Sequence, residues 1–167
     1  MTQQTVKPRS VTHGSFTLER RFDAAPPRVF KAFSDPTIKK RWFGGPEEWG
    51  PDKHELDFRV GGRETSVGGP AGGPVHKYEA VHQDIVDNER IVITYDMWMD
   101  EAMISVSLAT FEFKAEGNKT RLVMTEQDAF LDGYDDLGSR EHGSGILLDQ
   151  LEAEIKRQLA TAEMGIA

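Results

Sequence analysis

The side chains of this sequence that could do chemistry are few. Glu126 and Asp128 stand at the end of a strand-like run. A carboxyl turned there toward an apolar interior has a raised pKa and can act as a general acid or base, whereas one turned to water is an ordinary surface charge. His13, His54, His76, His82 and His142 are the five histidines. His76 and His82 lie six apart on one expected strand and so share a face. Zinc needs three or four converging ligands, which a strand pair does not supply, so both read as solvated histidines and no metal site is assigned. His142 lies beside Glu141 and close to Asp132, Asp135 and Asp136. It reads either as a loop histidine before a helix or as a polar group that orients a ligand or moves a proton. Arg59 could turn inward as the partner of a ligand carboxylate, or lie at the surface.

Other chemistries find no support. Ser105, Ser107, Ser139 and Ser144 sit in no nucleophile-elbow pattern. The glycine clusters at 61–62 and 68–73 lack the Lys-Ser/Thr of a phosphate loop. No carboxylate spacing demands glycosidase geometry. No catalytic residue is assigned. The richer set is aromatic: Trp42, Phe43, Trp49, Tyr78, Tyr95, Trp98, Phe111, Phe130 and Tyr134. Most of these must pack a core and its rim, and some are expected to line a ligand cavity, since small-molecule sites are concave and mostly apolar.

The elements that would position these residues can be read from periodicity. Residues 1–14 are polar and read as a flexible leader. Residues 15–22 alternate through Phe16, Leu18 and Phe22 as a first strand. Pro26-Pro27 opens a short helix carrying Val29, Phe30 and Phe33. Asp35-Pro36 opens a second, which carries Ile38, Trp42 and Phe43 and is stopped by Gly44-Gly45-Pro46. Leu56, Phe58 and Val60 alternate as a strand from His54, with Gly61-Gly62 as its turn. Residues 68–74 are a Gly/Pro loop. Strands follow at 75–86, 90–97, 103–113 and 120–127. The strand at 90–97 places Ile91, Ile93, Tyr95 and Met97 opposite Val92, Thr94, Asp96 and Trp98. From about Gly143 to Ala162, Leu147, Leu148, Leu151, Ile155, Leu159 and Ala162 form one apolar stripe on a long helix. Tight turns between consecutive strands imply an antiparallel meander, and only the last helix has a stripe long enough to cover it. The fold class is therefore α+β: about six to seven strands curved around a C-terminal helix, with a cavity between them under the two short helices. One domain is expected over residues 15–162.

Several segments resemble the START-like helix-grip superfamily, and within it the homologues of the activator of heat-shock-protein-90 ATPase. They are Phe22-Asp23-Ala24-Ala25-Pro26-Pro27-Arg28-Val29-Phe30, Asp35-Pro36, Arg41-Trp42-Phe43-Gly44, Leu56-Asp57-Phe58-Arg59-Val60-Gly61-Gly62, Thr110-Phe111-Glu112-Phe113, Gly117-Asn118-Lys119-Thr120-Arg121-Leu122, Thr125-Glu126-Gln127 and Glu141-His142-Gly143-Ser144-Gly145. The resemblance spans about residues 15–160. It implies a helix-grip fold with an internal cavity and a link to the stress response, but no single activity: such proteins include co-chaperone domains, carriers of lipids and small molecules, and polyketide cyclases. The family often carries a bulky aromatic, commonly Trp, after the glycine matching Gly143, where this chain has Ser144. The smaller residue is expected to enlarge that end of the cavity. The ligand-cavity residues expected on these grounds are Trp42, Phe43, Arg59, Tyr78, Tyr95, Trp98, Phe111, Glu126, Phe130, Tyr134, His142, Leu147 and Leu151.

Composition narrows the function. The chain has 167 residues, enough for one domain that buries roughly 70% of its unfolded surface. It has no cysteine, which excludes disulfides, thiolate metal sites and cysteine nucleophiles and fits a reducing, cytoplasmic setting. Its net charge of −8 argues against nucleic acid as a partner. Neither an apolar signal region in residues 1–10 nor a membrane-length apolar run is visible. The expected partner is a small hydrophobic or amphipathic molecule, bound without catalysis and without a cofactor. The alternatives are a co-chaperone-type module acting on a heat-shock-protein ATPase and a cyclase or dehydratase using Glu126, His142 or Arg59. Monomer and homodimer both remain open.

Overall fold

A computed structural model describes residues 8–165. The chain runs β1 (Val11–Phe22), α1 (Pro26–Ser34), α2 (Pro36–Trp42), a 3₁₀ turn (Glu47–Trp49), β2 (Lys53–Leu56), β3 (Arg63–Gly68), β4 (His76–Val86), β5 (Arg90–Met99), β6 (Ala102–Glu116), β7 (Lys119–Leu131) and α3 (Leu137–Glu163). The strands form one curved antiparallel sheet in the order β1-β7-β6-β5-β4-β3-β2. β2 to β7 is thus a meander, and β1 closes its far side on β7, in register from Val11↔Leu131 to Phe22↔Thr120. The fold is an α+β helix grip.

The short helices form where the chain chemistry requires. α1 starts on Pro26, whose missing N–H is an orphan at that position in any case. Asp35 caps α2 by accepting from the Thr37 N–H at 2.9 Å, with Pro36 at the first helical position. α1 buries Val29, Phe30, Ala32 and Phe33. Phe30 and Phe33 meet Phe113 of β6 edge-on, each at 5.3 Å between ring centroids. Trp42 packs on Phe33 at 5.0 Å and donates its indole N–H to Ala32 O at 2.9 Å, which ties α2 to α1. Along α3, Leu148, Leu151 and Ile155 are buried, with Leu147 and Leu159 packed against the same core. Ala162 is exposed, because the helix has by then run past the sheet.

β5, β6 and β7 run two to four residues further than the sequence reading, to Met99, Glu116 and Leu131, and three other boundaries differ in ways that matter to the site. β1 begins at Val11, so residues 11–14 are strand and not leader; residues 1–7 of that segment lie outside the described residues. β2 ends at Leu56, and Val60 is exposed. Residues 57–62 fold back as a turn closed by Asp57 N to Arg63 O (2.9 Å) and Gly62 N to Arg59 O (2.8 Å), with Gly61 at φ +82°. Alternation through Phe58 and Val60 therefore marks a turn here. The largest difference is α3, which starts at Leu137, six residues before Gly143. Asp136 supplies the cap: its Oδ1 accepts from the Ser139 N–H at 2.9 Å and its Oδ2 from the Ser139 hydroxyl at 3.2 Å. Gly138, Gly143 and Gly145 lower helix propensity without ending the helix, because the turn they occupy is anchored on the sheet. Leu137 lies directly over Gly14 of β1, where a Cβ would come within 2.8 Å of its side chain.

Candidate functional site

Between the concave face of the sheet, α2 and the first turns of α3 lies a cavity of about 540 Å³. That volume is within the range of small-molecule sites. Its middle is aromatic. Phe33, Trp42 and Phe43 come from the helices, Tyr78 from β4, Tyr95 from β5 and Phe111 from β6. Phe43, Tyr78 and Tyr95 form a continuous run, with centroids 5.0 Å apart from Phe43 to Tyr78 and 5.1 Å from Tyr78 to Tyr95. A buried polar cluster sits at each end.

The first cluster is centred on Glu64 of β3. Its Oε1 accepts from Lys39 Nζ at 3.0 Å, and its Oε2 lies 2.7 Å from His54 Nε2. All three side chains are almost wholly buried. Lys39 reaches inward from α2, with its ammonium 4.6 Å from the centre of the Phe43 ring. Burial pushes the Glu64 carboxyl up, but the Lys39 charge and the hydrogen bonds from His54 and Lys39 outweigh it and hold the group below its ordinary value.

The second cluster is centred on Arg140, one turn into α3. Its Nη1 donates to Tyr95 Oη (3.0 Å), Ser107 Oγ (3.1 Å) and Asp128 Oδ1 (3.3 Å). Its Nη2 donates to Ser105 Oγ (2.6 Å) and Asp135 Oδ2 (3.0 Å). The Tyr95 hydroxyl in turn donates a hydrogen bond to Glu126 Oε1 at 2.6 Å, and Ser107 donates to Asp128 Oδ1 at 2.5 Å. Glu126 and Asp128 are two apart on β7 and both face inward, where Glu126 Oε2 and Asp128 Oδ2 are sealed with no hydrogen-bond partner among the described residues. Burial, together with the hydrogen bond and charge of Asp128, raises the Glu126 carboxyl to about 8. Burial and the neighbouring Glu126 carry the Tyr95 hydroxyl well above its usual range. At neutral pH the cluster holds a neutral carboxylic acid at the cavity wall, a group that can donate a hydrogen bond or a proton.

Of the residues singled out from sequence, the cavity wall contains Trp42, Phe43, Tyr78, Tyr95, Phe111, Glu126 and Leu147. The other six lie elsewhere. Arg59 sits in the turn after β2, exposed and paired with Asp57 at 2.9 Å, because the strand that would have aimed it inward has already ended. Trp98 is on the outer face, as its alternation with Tyr95 requires, donating to Asp96 Oδ1 at 2.9 Å under the Lys77 ammonium. Phe130 is buried beneath Arg140, whose guanidinium carbon lies 5.4 Å from its ring centre. Leu151 is fully buried in the core, deeper than the wall. Tyr134 belongs to the β7–α3 connection, its N–H turned onto Leu131 O at 3.2 Å. His142 is exposed on the second turn of α3, two residues and so more than half a helical turn from Arg140. His82, read as solvated, is buried with its Nδ1 3.0 Å from Gly62 O, and His76 stacks on Trp49 at 4.7 Å; both border the cavity. Asp128, which the sequence left between water and interior, is interior. Ser144 faces the cavity and is buried.

Sequence reasoning missed Arg140, Lys39 and Glu64. A signal for Arg140 exists: Asp136-x-x-Ser139 is a capping pattern, and Arg140, Ser144, Leu147, Leu148 and Leu151 continue one helical stripe backward. Lys39 and Glu64 carry none, since a charged residue turned inward is invisible until its partner is in place. Among the described residues no group of three or more acidic or histidine side chains could hold a metal ion, and no helix is long and apolar enough to cross a membrane.

Comparison with known proteins fits this geometry. The family model for activator of Hsp90 ATPase homolog 1-like protein matches residues 23–156. An uncharacterized protein from Rhizobium leguminosarum is 43% identical, covering 90% of this chain and 99% of its own, at a TM-score of 0.85. A protein from Rhizobium loti is also 43% identical, with 87% and 99% covered and a TM-score of 0.81. One from Chromobacterium violaceum is 26% identical, with 84% and 96% covered and a TM-score of 0.71. No curated protein matches.

Proposed function

Since the chain belongs to the activator of Hsp90 ATPase homolog 1-like family, we propose that it acts in the cytoplasm as a binding protein that takes a small hydrophobic or amphipathic molecule into the cavity without transforming it. The observation that carries this reading is the join of an aromatic wall to two buried polar clusters, each organised around an ion pair. A space that merely escaped filling would be lined by apolar groups alone, because each buried charge is expensive unless it has partners. Native mass spectrometry of gently purified protein, with a denatured control, tests it. The expected result is a released apolar molecule, or saturable uptake of an added aromatic probe. An empty protein that takes up no such probe overturns it.

Glu126 supports a second reading, acid–base catalysis on a cyclisable substrate, because its proton is exchangeable near neutral pH. His142 and Arg59 have no place in that chemistry, since neither reaches the cavity. A co-chaperone role rests on the family match alone, and stimulation of a chaperone ATPase by the purified protein is its test.

A further inference from the structure

We infer that residues 44–52, between α2 and β2, form a lid on the cavity, latched by the Asp52 carboxylate and by the stack of Trp49 on His76. The inference rests on the binding reading and adds the route by which the ligand enters and leaves. Sheet and helix make up most of the cavity wall. Gly45 and Pro46 also line it, and they are exposed as well, so a single thickness of chain separates the cavity from water there.

The backbone of this segment bonds mainly to itself. Trp49 N to Pro46 O and Gly50 N to Glu47 O, each 3.0 Å, close one 3₁₀ turn, and neither bond reaches the sheet. Such a segment opens locally at low cost, because few hydrogen bonds and little buried area are lost. Gly44-Gly45 on one side and Gly50, at φ +77°, on the other can absorb the swing. Two side chains tie the segment down. Asp52 Oδ2 accepts from Gly45 N at 3.1 Å and from Ser66 Oγ of β3 at 3.0 Å, which joins the two ends of the segment to each other and to the sheet. The seat is close, since a Cβ at Gly68 of β3 would collide with Asp52 Oδ1. The Trp49 indole lies on Gly45, where a Cβ would come within 2.5 Å of the ring, and stacks on His76 of β4 at 4.7 Å. Ser66 and His76 themselves line the cavity, so both ties cross its rim.

The latch has a kinetic signature. It is made in the closed form whether the cavity is empty or filled, so loosening it raises the open population in both. Entry and exit then quicken together, and affinity changes less than either rate. A segment that only packed against the ligand would behave differently. Damage to it would speed exit alone, and binding would weaken in step.

The test is stopped-flow fluorescence of the full chain with N-phenyl-1-naphthylamine, an uncharged aromatic probe. Asp52→Ala removes both latch bonds and is expected to raise the association and dissociation rates at least fivefold each, with a smaller change in Kd. Ser66→Ala removes only the bond to β3 and is expected to raise both rates about twofold; it carries the test alone if Asp52→Ala does not fold. Rates unchanged from the wild type, or a faster exit with Kd rising in step, overturn the lid and leave the binding reading standing. No uptake of the probe by the wild type removes both.

Discussion

The two buried clusters at the ends of the cavity use the same kinds of residue and reach opposite results. Around Glu64, one carboxylate is served by one ammonium and one imidazole, and its pKa falls. Around Arg140, a single guanidinium serves Asp128, Asp135 and the nearby Glu126, and Glu126 rises to about 8. Burial is similar at both carboxyls, so burial alone does not decide the sign. The ratio of cations to carboxyls does, because a buried carboxylate stays charged only where a countercharge offsets its lost hydration. One end is a closed ion pair; the other is a store for one proton beside an arginine whose two terminal nitrogens are engaged by protein groups.

The harshest way to break this contrast is Arg140→Met. It leaves Asp128 buried beside Glu126 without a cation, and the loss in unfolding free energy is expected to be on the order of 4 kcal/mol at pH 7.5. Urea denaturation checks it, and the loss should shrink at pH 5, where the carboxyls can take up protons. Lys39→Met should cost less, about 3 kcal/mol by the same measurement, because Glu64 keeps its hydrogen bond with His54 at 2.7 Å. An equal or larger loss than at Arg140 would undo the view that the Glu64 end is the better balanced.

The pH dependence of stability sharpens the comparison most. Glu126 has a folded pKa of about 8 against 4.5 for the ordinary carboxyl. The folded chain therefore holds a proton that the unfolded chain has released, throughout the window from about 4.5 to 8. Stability carried by this group is fully present below that window and is lost as pH rises through it, by up to about 1.4 kcal/mol per pH unit. Glu126→Gln keeps a neutral donor in place and removes the titration. The fall in denaturation midpoint between pH 5 and 8 should then flatten. Glu64 has the opposite linkage: its contribution is present above the ordinary carboxylate range and is lost in acid, below about pH 4.5.

Much of the frame was readable because local rules and global packing agreed. Asp35-Pro36 started a helix where it stood, and Ile91, Ile93 and Tyr95 faced the core as their alternation requires. The reading failed where local chemistry pointed one way and anchoring the other. Gly138, Gly143 and Gly145 look like a loop, yet the Asp136 cap and the seat of Leu137 over Gly14 make them helix. That single boundary hid Arg140 and gave His142 a prominence it lacks. Trp98 was a different kind of failure, since its own alternation already set it opposite Tyr95.

By itself, the sequence determined the order of elements, the meander, the covering helix and the aromatic character of the interior, because periodicity and turn chemistry act over a few residues. Only the tertiary structure decided which charges turned inward and with whom. Arg140 meets Asp128 and Ser105, and Lys39 meets Glu64, across separations of 12 to 35 residues. The protonation state of a buried carboxyl is a sum over such distant neighbours, and no window of sequence contains them all.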